Sequence, residues 1–335
     1  MTVTLSGPEA TKFRALKPHS AQQSRLTRRG WAASLASVLL LLSSCSSPPE
    51  GGPAPEPSPS ASTSTPALPA ISLGGDAYSV VYGFGAAWVQ VDPPVDAVVR
   101  IDAASGEITQ SRKAGTGAAI AEDAVWMAVA GERLQKISPR SGKVLMTVKI
   151  PESYYVSVGA GSIWLPSPGG ITRVDPRSGA VKKIPVASVD EITDLQATKN
   201  AVWATDKVGG RVFRVDQRTN KVVKVIRTGA GAHDLTVDRH GVWITNYEAN
   251  TVSRIDPATN KVSATVSEVG SGVGIVACQG GIWTSVRYQG VFRIDPATNK
   301  ARLVVPLNEW NYGRGCGDGE LWITSTSGQV HRMAF

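Results

Sequence analysis

The chain has 335 residues, 42% of them apolar, enough for one large domain or two ordinary ones. Its net charge of +8 invites a nucleic-acid reading, but the first 45 residues carry Lys12, Arg14, Lys17, Arg25, Arg28 and Arg29 against Glu9, which leaves only +3 for the rest. No dense Lys/Arg block lies in that remainder, so a phosphate-binding surface is unsupported and nucleic acid is not an expected partner.

Residues 1–30 are polar and basic, and Trp31 to Leu42 form an apolar run of 12 residues. That run is too short to span a bilayer as a helix, which needs about 20 residues, and has the length of the apolar part of an export signal. Directly after it, Leu42-Ser43-Ser44-Cys45 resembles the bacterial lipobox. The resemblance implies that Cys45 is lipidated and becomes the mature N-terminus, so that 1–45 is a lipoprotein signal and the product sits on the extracytoplasmic face of the cell membrane. An ordinary cleaved secretion signal is the alternative. Thr27-Arg28-Arg29-Gly30-Trp31 also loosely resembles a twin-arginine signal, and the general secretory route is equally compatible. Residues 46–66, rich in Pro, Ser, Ala and Thr, cannot bury enough apolar area to offset their ordering entropy and are expected to form an extended tether.

From residue 67 onward one phrase repeats. Trp88, Trp126, Trp164, Trp203, Trp243, Trp283 and Trp322 are spaced by 38, 38, 39, 40, 40 and 39 residues. All but the last are followed by a short strand-like stretch and a turn, as in VFRVDQRTNKV, VSRIDPATNKV and VFRIDPATNKA. Pro supplies φ near −65° in such turns, and Asn or Gly tolerates the left-handed residue. The alternation in TVSRID and KVSATV predicts half-buried strands. Each unit reads as four short strands, and four antiparallel strands in about 40 residues describe a propeller blade. A solenoid of the same period competes, but no helix-length pattern is present. The last unit ends at Phe335 after three strands, and Ala67 to Leu73 stands where other units have their fourth. The expectation is an all-β, seven-bladed β-propeller over 67–335, its last blade closed by the N-terminal strand, which would otherwise leave a bare edge.

Residues 243–266 resemble the YVTN-type propeller repeat in Ile244-Thr245-Asn246, Asn250-Thr251-Val252, Ile255-Asp256 and Ala258-Thr259-Asn260-Lys261-Val262. The Trp-containing strands are similar to those of the virginiamycin B lyase-like propellers. Both resemblances imply seven blades.

Two positions per blade are expected at the channel mouth. Ten residues before each Trp stand Tyr78, Thr116, Tyr154, Thr193, His233, Val273 and Tyr312; three after it stand Val91, Val129, Ser167, Asp206, Asn246, Val286 and Ser325. The candidate ligand-binding set is therefore Tyr78, Tyr154, Thr193, Asp206, His233, Asn246 and Tyr312, suited to stacking and hydrogen bonding more than to charge capture. The lyase resemblance implies elimination chemistry on a cyclic ester-linked antibiotic, with Mg²⁺ on acidic residues and a histidine moving a proton. Its motif places Glu three after the Trp. Here Asp206 is the only acid in that column, and His233 with Asp234 alone could continue the histidine role. One Asp among neutral neighbours is a poor divalent-cation site, so no cofactor is expected outside the lyase alternative. Cys278 and Cys316 fall at near-matching places of adjacent inner strands. A disulfide suits an exported protein, but only if the two Cα atoms come within roughly 4.4–6.8 Å, which adjacent inner strands need not satisfy.

The expected function is thus a lipid-anchored monomer, without enzymatic activity, that binds a cell-envelope protein, a peptide or a glycan at the channel mouth. A metal-dependent lyase or hydrolase on the same ring is the alternative. A scaffold recruiting envelope proteins through its blade edges is a third reading.

Overall fold

The computed structural model describes residues 67–335 apart from 114, 130, 131, 187, 188 and 190, so the export signal, Cys45 and the tether lie outside the described residues. Within them the chain is all-β, a ring of seven four-stranded antiparallel sheets. In chain order blades 1 to 6 cover 77–113, 115–149, 157–185, 192–227, 232–266 and 272–306. Blade 7 draws on both ends of the ring. Its first three strands are Asn311–Gly317, Glu320–Ser325 and Gln329–Ala334, and its outer strand is Ala67–Ser72, with Ala67 opposite Met333 and Ser72 opposite Gln329.

In each blade the innermost strand enters at one end of the channel, the second returns, the third descends and the outer strand climbs back. The turns between strands one and two, and between three and four, therefore share the face opposite the mouth. The 3–4 turns have the chemistry the sequence predicts. Asn220, Asn260 and Asn299 hold left-handed φ of 55°, 57° and 58°, and Gly106, Gly142 and Gly179 take the same place in blades 1 to 3. Asp216 Oδ1 accepts the Arg218 and Thr219 N–H groups at 2.9 and 2.8 Å, and Asp175 does the same for Arg177 and Ser178. These bonds hold both carboxyls below the usual carboxylate range.

The half-buried pattern holds for outer strands such as Lys261–Val266 and for the innermost strand Ile192–Ala197. Second and third strands are covered on both faces, because a neighbouring blade packs on each side. Ser253 and Val252 are both buried, although they point opposite ways. All seven blade tryptophans are at most 4% exposed and join successive sheets into one wall.

A cation lies directly across from each of them on the third strand: Arg100, Lys136, Arg173, Arg214, Arg254, Arg293 and Arg332. Each sits over its indole, Arg254 at 5.1 Å and Arg332 at 4.6 Å from the ring centre. At four junctions the arginine also donates to the 3–4 turn of the following blade. Arg173 reaches Gln217 O and Asn220 Oδ1, Arg214 reaches Pro257 O and Asn260 Oδ1, Arg254 reaches Pro296 O and Asn299 Oδ1, and Arg332 reaches Ala103 O to close the circle.

Between blades 6 and 7 that contact has no target, since blade 7's outer strand comes from the other end of the chain and there is no 3–4 turn. Phe335 packs against Trp283 instead, with ring centres 5.2 Å apart. At the same junction Cys278 and Cys316 form a disulfide, their Cα atoms 5.9 Å apart.

Candidate functional site

Six of the seven innermost strands carry a β-bulge near their entry, for instance between Ala77 and Ser79, Ile192 and Leu195, Ala232 and Leu235, and Asn311 and Arg314. A bulge breaks the strict alternation of strand side chains. Consecutive residues of several blades therefore line the same space. The result is a cavity of about 510 Å³ in the channel mouth, lined among others by Tyr78, Ser79, Tyr154, Tyr155, Asp194, His233, Asp234, Tyr312 and Arg314. Close packing of the inner strands shapes its wall. Gly274 has φ of 68°, and a Cβ there would lie 2.2 Å from Tyr312 O, so no other residue fits the seam between blades 6 and 7.

Four residues from the expected set meet here: Tyr78, Tyr154, His233 and Tyr312. The Tyr78 and Tyr312 rings are 4.9 Å apart, and Trp310 stacks on Tyr312 at 4.8 Å. Arg287 lies over Trp310 at 3.3 Å and over Tyr247 at 5.9 Å, while Tyr247 approaches His233 at 6.3 Å. An aromatic arc thus runs along one side of the rim. Tyr154 stands half-exposed on the other and donates its hydroxyl to Glu152.

The other three are not at the mouth. Thr193 is buried and donates to the His233 carbonyl at 2.8 Å, tying blade 4 to blade 5. Asp206 is fully buried and takes Arg211 Nε at 2.8 Å. Asn246 is fully buried and donates to Thr251 and Ser253. The column three after the Trp faces the space between blades, because the second strand is sandwiched rather than rimmed. The side chain of Thr116 lies outside the described residues.

The strongest charges stand one or two positions further along these strands: Asp234, already paired with His233 in the sequence, and Asp194 and Arg314, which the sequence reading passed over. Asp194 Oδ1 accepts the Leu195 N–H at 2.7 Å and Oδ2 the Leu235 N–H at 2.9 Å. Burial, then the charge of Asp234, pushes its carboxyl up to about 8. Asp234 is also desolvated, but His233, Arg314 and the Gly274 N–H outweigh that and hold it low. His233 Nδ1 lies 2.9 Å from Asp234 Oδ1; burial pulls the imidazole down, and the Asp234 charge and hydrogen bond raise it above its ordinary value. Arg314 donates to Val273 O at 2.9 Å, and its Nε has no partner among the described residues. Burial lowers its guanidinium to about 9, against the pull of Asp234. Tyr155 lines the cavity, and desolvation, then the charges of Asp234 and Asp194, raise its phenol.

A pH dependence follows. Asp194 keeps its proton to about 8 in the fold but releases it near 4 when unfolded, and the raised His233 acts in the same sense. Each therefore contributes stability that is present at low pH and is lost as pH rises through its folded value. Urea unfolding across pH 5 to 9 should show wild-type stability falling, and Asp194→Asn should flatten the fall by on the order of 2–3 kcal/mol. An unchanged slope would mean that Asp194 is already ionised at pH 5.

Mg²⁺ does not fit the acids present. Asp206 is spent on Arg211, Asn246 on two hydroxyls, and both oxygens of Asp194 on backbone N–H groups. Among the described residues no group of three or more His, Cys, Asp or Glu could hold a metal ion.

The fold is similar to that of virginiamycin B lyase from Staphylococcus aureus, with a TM-score of 0.67 at 14% identity over 80% of this chain and 98% of that one. A catalytically inactive variant of that lyase with quinupristin gives 0.66 over the same shares, also at 14% identity. The Cps50 (Swd1) β-propeller domain of Myceliophteria thermophila gives 0.68 at 12% identity over 81% and 99%. At such identities the likeness concerns the fold alone. No family model matches the sequence, and no curated protein does.

Proposed function

We propose that the chain is a binding module that takes a peptide, glycan or protein segment at the channel mouth, carried on the extracytoplasmic face of a membrane by a lipid on Cys45. One observation carries the binding reading: side chains from blades 1, 3, 4, 5, 6 and 7 converge on a cavity of about 510 Å³ that combines tyrosine faces with Asp194, Asp234 and Arg314. Aromatic faces with a few polar groups that fix orientation are the make-up of a recognition site. The anchor rests on Leu42-Ser43-Ser44-Cys45 and the apolar run before it, and the YVTN-like phrases support a repeat propeller of that type.

Peptide and glycan arrays probed with the ring, wild type against a Tyr154→Ala/His233→Ala/Tyr312→Ala variant, test the site. Ligands retained by the wild type should lose at least about tenfold in affinity. Equal retention by a variant of unchanged melting temperature would move binding to the blade edges.

The His233–Asp234 pair, at 2.9 Å inside the cavity, favours one alternative, a metal-independent lyase in which His233 serves as the base. Linearisation of quinupristin by wild type and not by His233→Ala would replace the binding reading.

A further inference from the structure

The junction between blades 2 and 3 lacks the third-strand arginine contact that fastens the junction between blades 3 and 4. The third-strand cation there is Lys136, whose Nζ turns 2.6 Å to Asp123 in its own blade. The carbonyl of Pro176, at the place of Gln217, Pro257 and Pro296, accepts no hydrogen bond among the described residues. Gly179 stands where blades 4, 5 and 6 carry Asn220, Asn260 and Asn299, so the side-chain acceptor is missing as well. A cavity of about 720 Å³ remains on the face opposite the mouth, lined by Glu122, Asp123, Trp126, Asp175, Pro176 and Arg177. Trp126 is fully buried, and its indole N–H has no partner.

We propose that this cavity is a docking socket for an arginine side chain presented by a partner protein. The chain's own arginines show the chemistry. At four other junctions a guanidinium lies against an indole and donates to the turn carbonyl of the next blade. In the socket the Pro176 carbonyl and an acidic surround are present beside an indole that Lys136 already overlies, and the guanidinium comes from outside. Glu122, Asp123 and Asp175 outnumber Lys136 and Arg177, so the lining favours a cation. Turn hydrogen bonds hold Asp175 low, which keeps it anionic. A planar guanidinium can donate to the carbonyl and to a carboxylate at once, whereas an ammonium acts as a point charge. This socket is independent of the channel mouth.

The test is titration of the ¹⁵N-labelled ring with acetyl-Gly-Arg-Gly-amide at millimolar concentration, following the indole N–H signals. Saturable movement of the Trp126 signal is expected, with the matching Lys peptide at least about fivefold weaker. Lys136→Arg fills the socket from within and should abolish the response. Asp175→Asn keeps the turn acceptor but drops the charge, and should weaken it. No saturable movement, equal affinity for the Lys peptide, or an undiminished response in Lys136→Arg overturns the proposal.

Discussion

Arg254→Ala lowers the stability of the ring by about 3 kcal/mol in denaturant unfolding, whereas Arg100→Ala costs about 1 kcal/mol or less. The two residues occupy the same place in their blades, so the contrast isolates the two carbonyl contacts that Arg254 makes and Arg100 lacks. Arg254 gives Nε and Nη2 to His240 O at 2.9 and 2.6 Å, and Nη1 to Pro296 O at 2.9 Å, while lying over Trp243. Removing it strands two carbonyls and uncovers an indole. Hydrogen bonds to a charged donor contribute about 1.5–3 kcal/mol each, but water reaches part of this face, so the total stays well below their sum. Arg100 donates to Thr109 in its own blade at 2.6 Å, and its Nε has no partner. Arg254→Lys should recover less than half of the loss, because one ammonium cannot serve both carbonyls and the ring. Equal costs at the two positions would show that the stacking, not the bonds to His240 O and Pro296 O, is what matters.

The Cys278→Ala/Cys316→Ala variant is the second large effect, a loss of about 4 kcal/mol. The bridge closes a 38-residue separation, and chain-entropy reasoning for a loop of that size gives about 4 kcal/mol. The location adds to its importance. This is the junction where the arginine has no turn to reach, so the bridge, the Phe335–Trp283 contact and the Arg314 bond to Val273 O fasten blades 6 and 7. Thermal unfolding of the variant against the oxidised wild type checks the size. A change below about 1 kcal/mol would mean that the remaining contacts hold the seam unaided.

Much of the ring was legible because it repeats. A column of seven tryptophans and a column of Asp-then-Asn/Gly turns recur at near-constant spacing, and such regularity leaves few architectures open. The arginine column was equally visible, two residues before each turn aspartate, but a charged residue on a strand reads as solvated until the next blade's carbonyls are placed beside it. The mouth was half legible. Tyr78, Tyr154, His233 and Tyr312 were found by counting back from the tryptophans. Asp194 and Arg314 were missed because counting assumes that every second residue points inward, and the entry bulges break that rule. Thr193, Asp206 and Asn246 were misplaced for a different reason. Polar residues beside a channel look accessible in sequence, yet Asp206 and Asn246 are sealed between sheets by partners five to seven residues further along the same hairpin, and Thr193 by the next blade.

The pairing of Ala67–Ser72 with Gln329–Ala334 also orders events in time. The ring's first strand waits for its last, so six blades can stack while the seventh is still incomplete. Joining partners so distant along the chain carries a loop-closure penalty that local hairpins avoid. Refolding should therefore end in a slow step that brings the first and last strands of the ring together, and a ring lacking Ala67–Ser72 should stop just short of it, with an open edge prone to pairing with other copies.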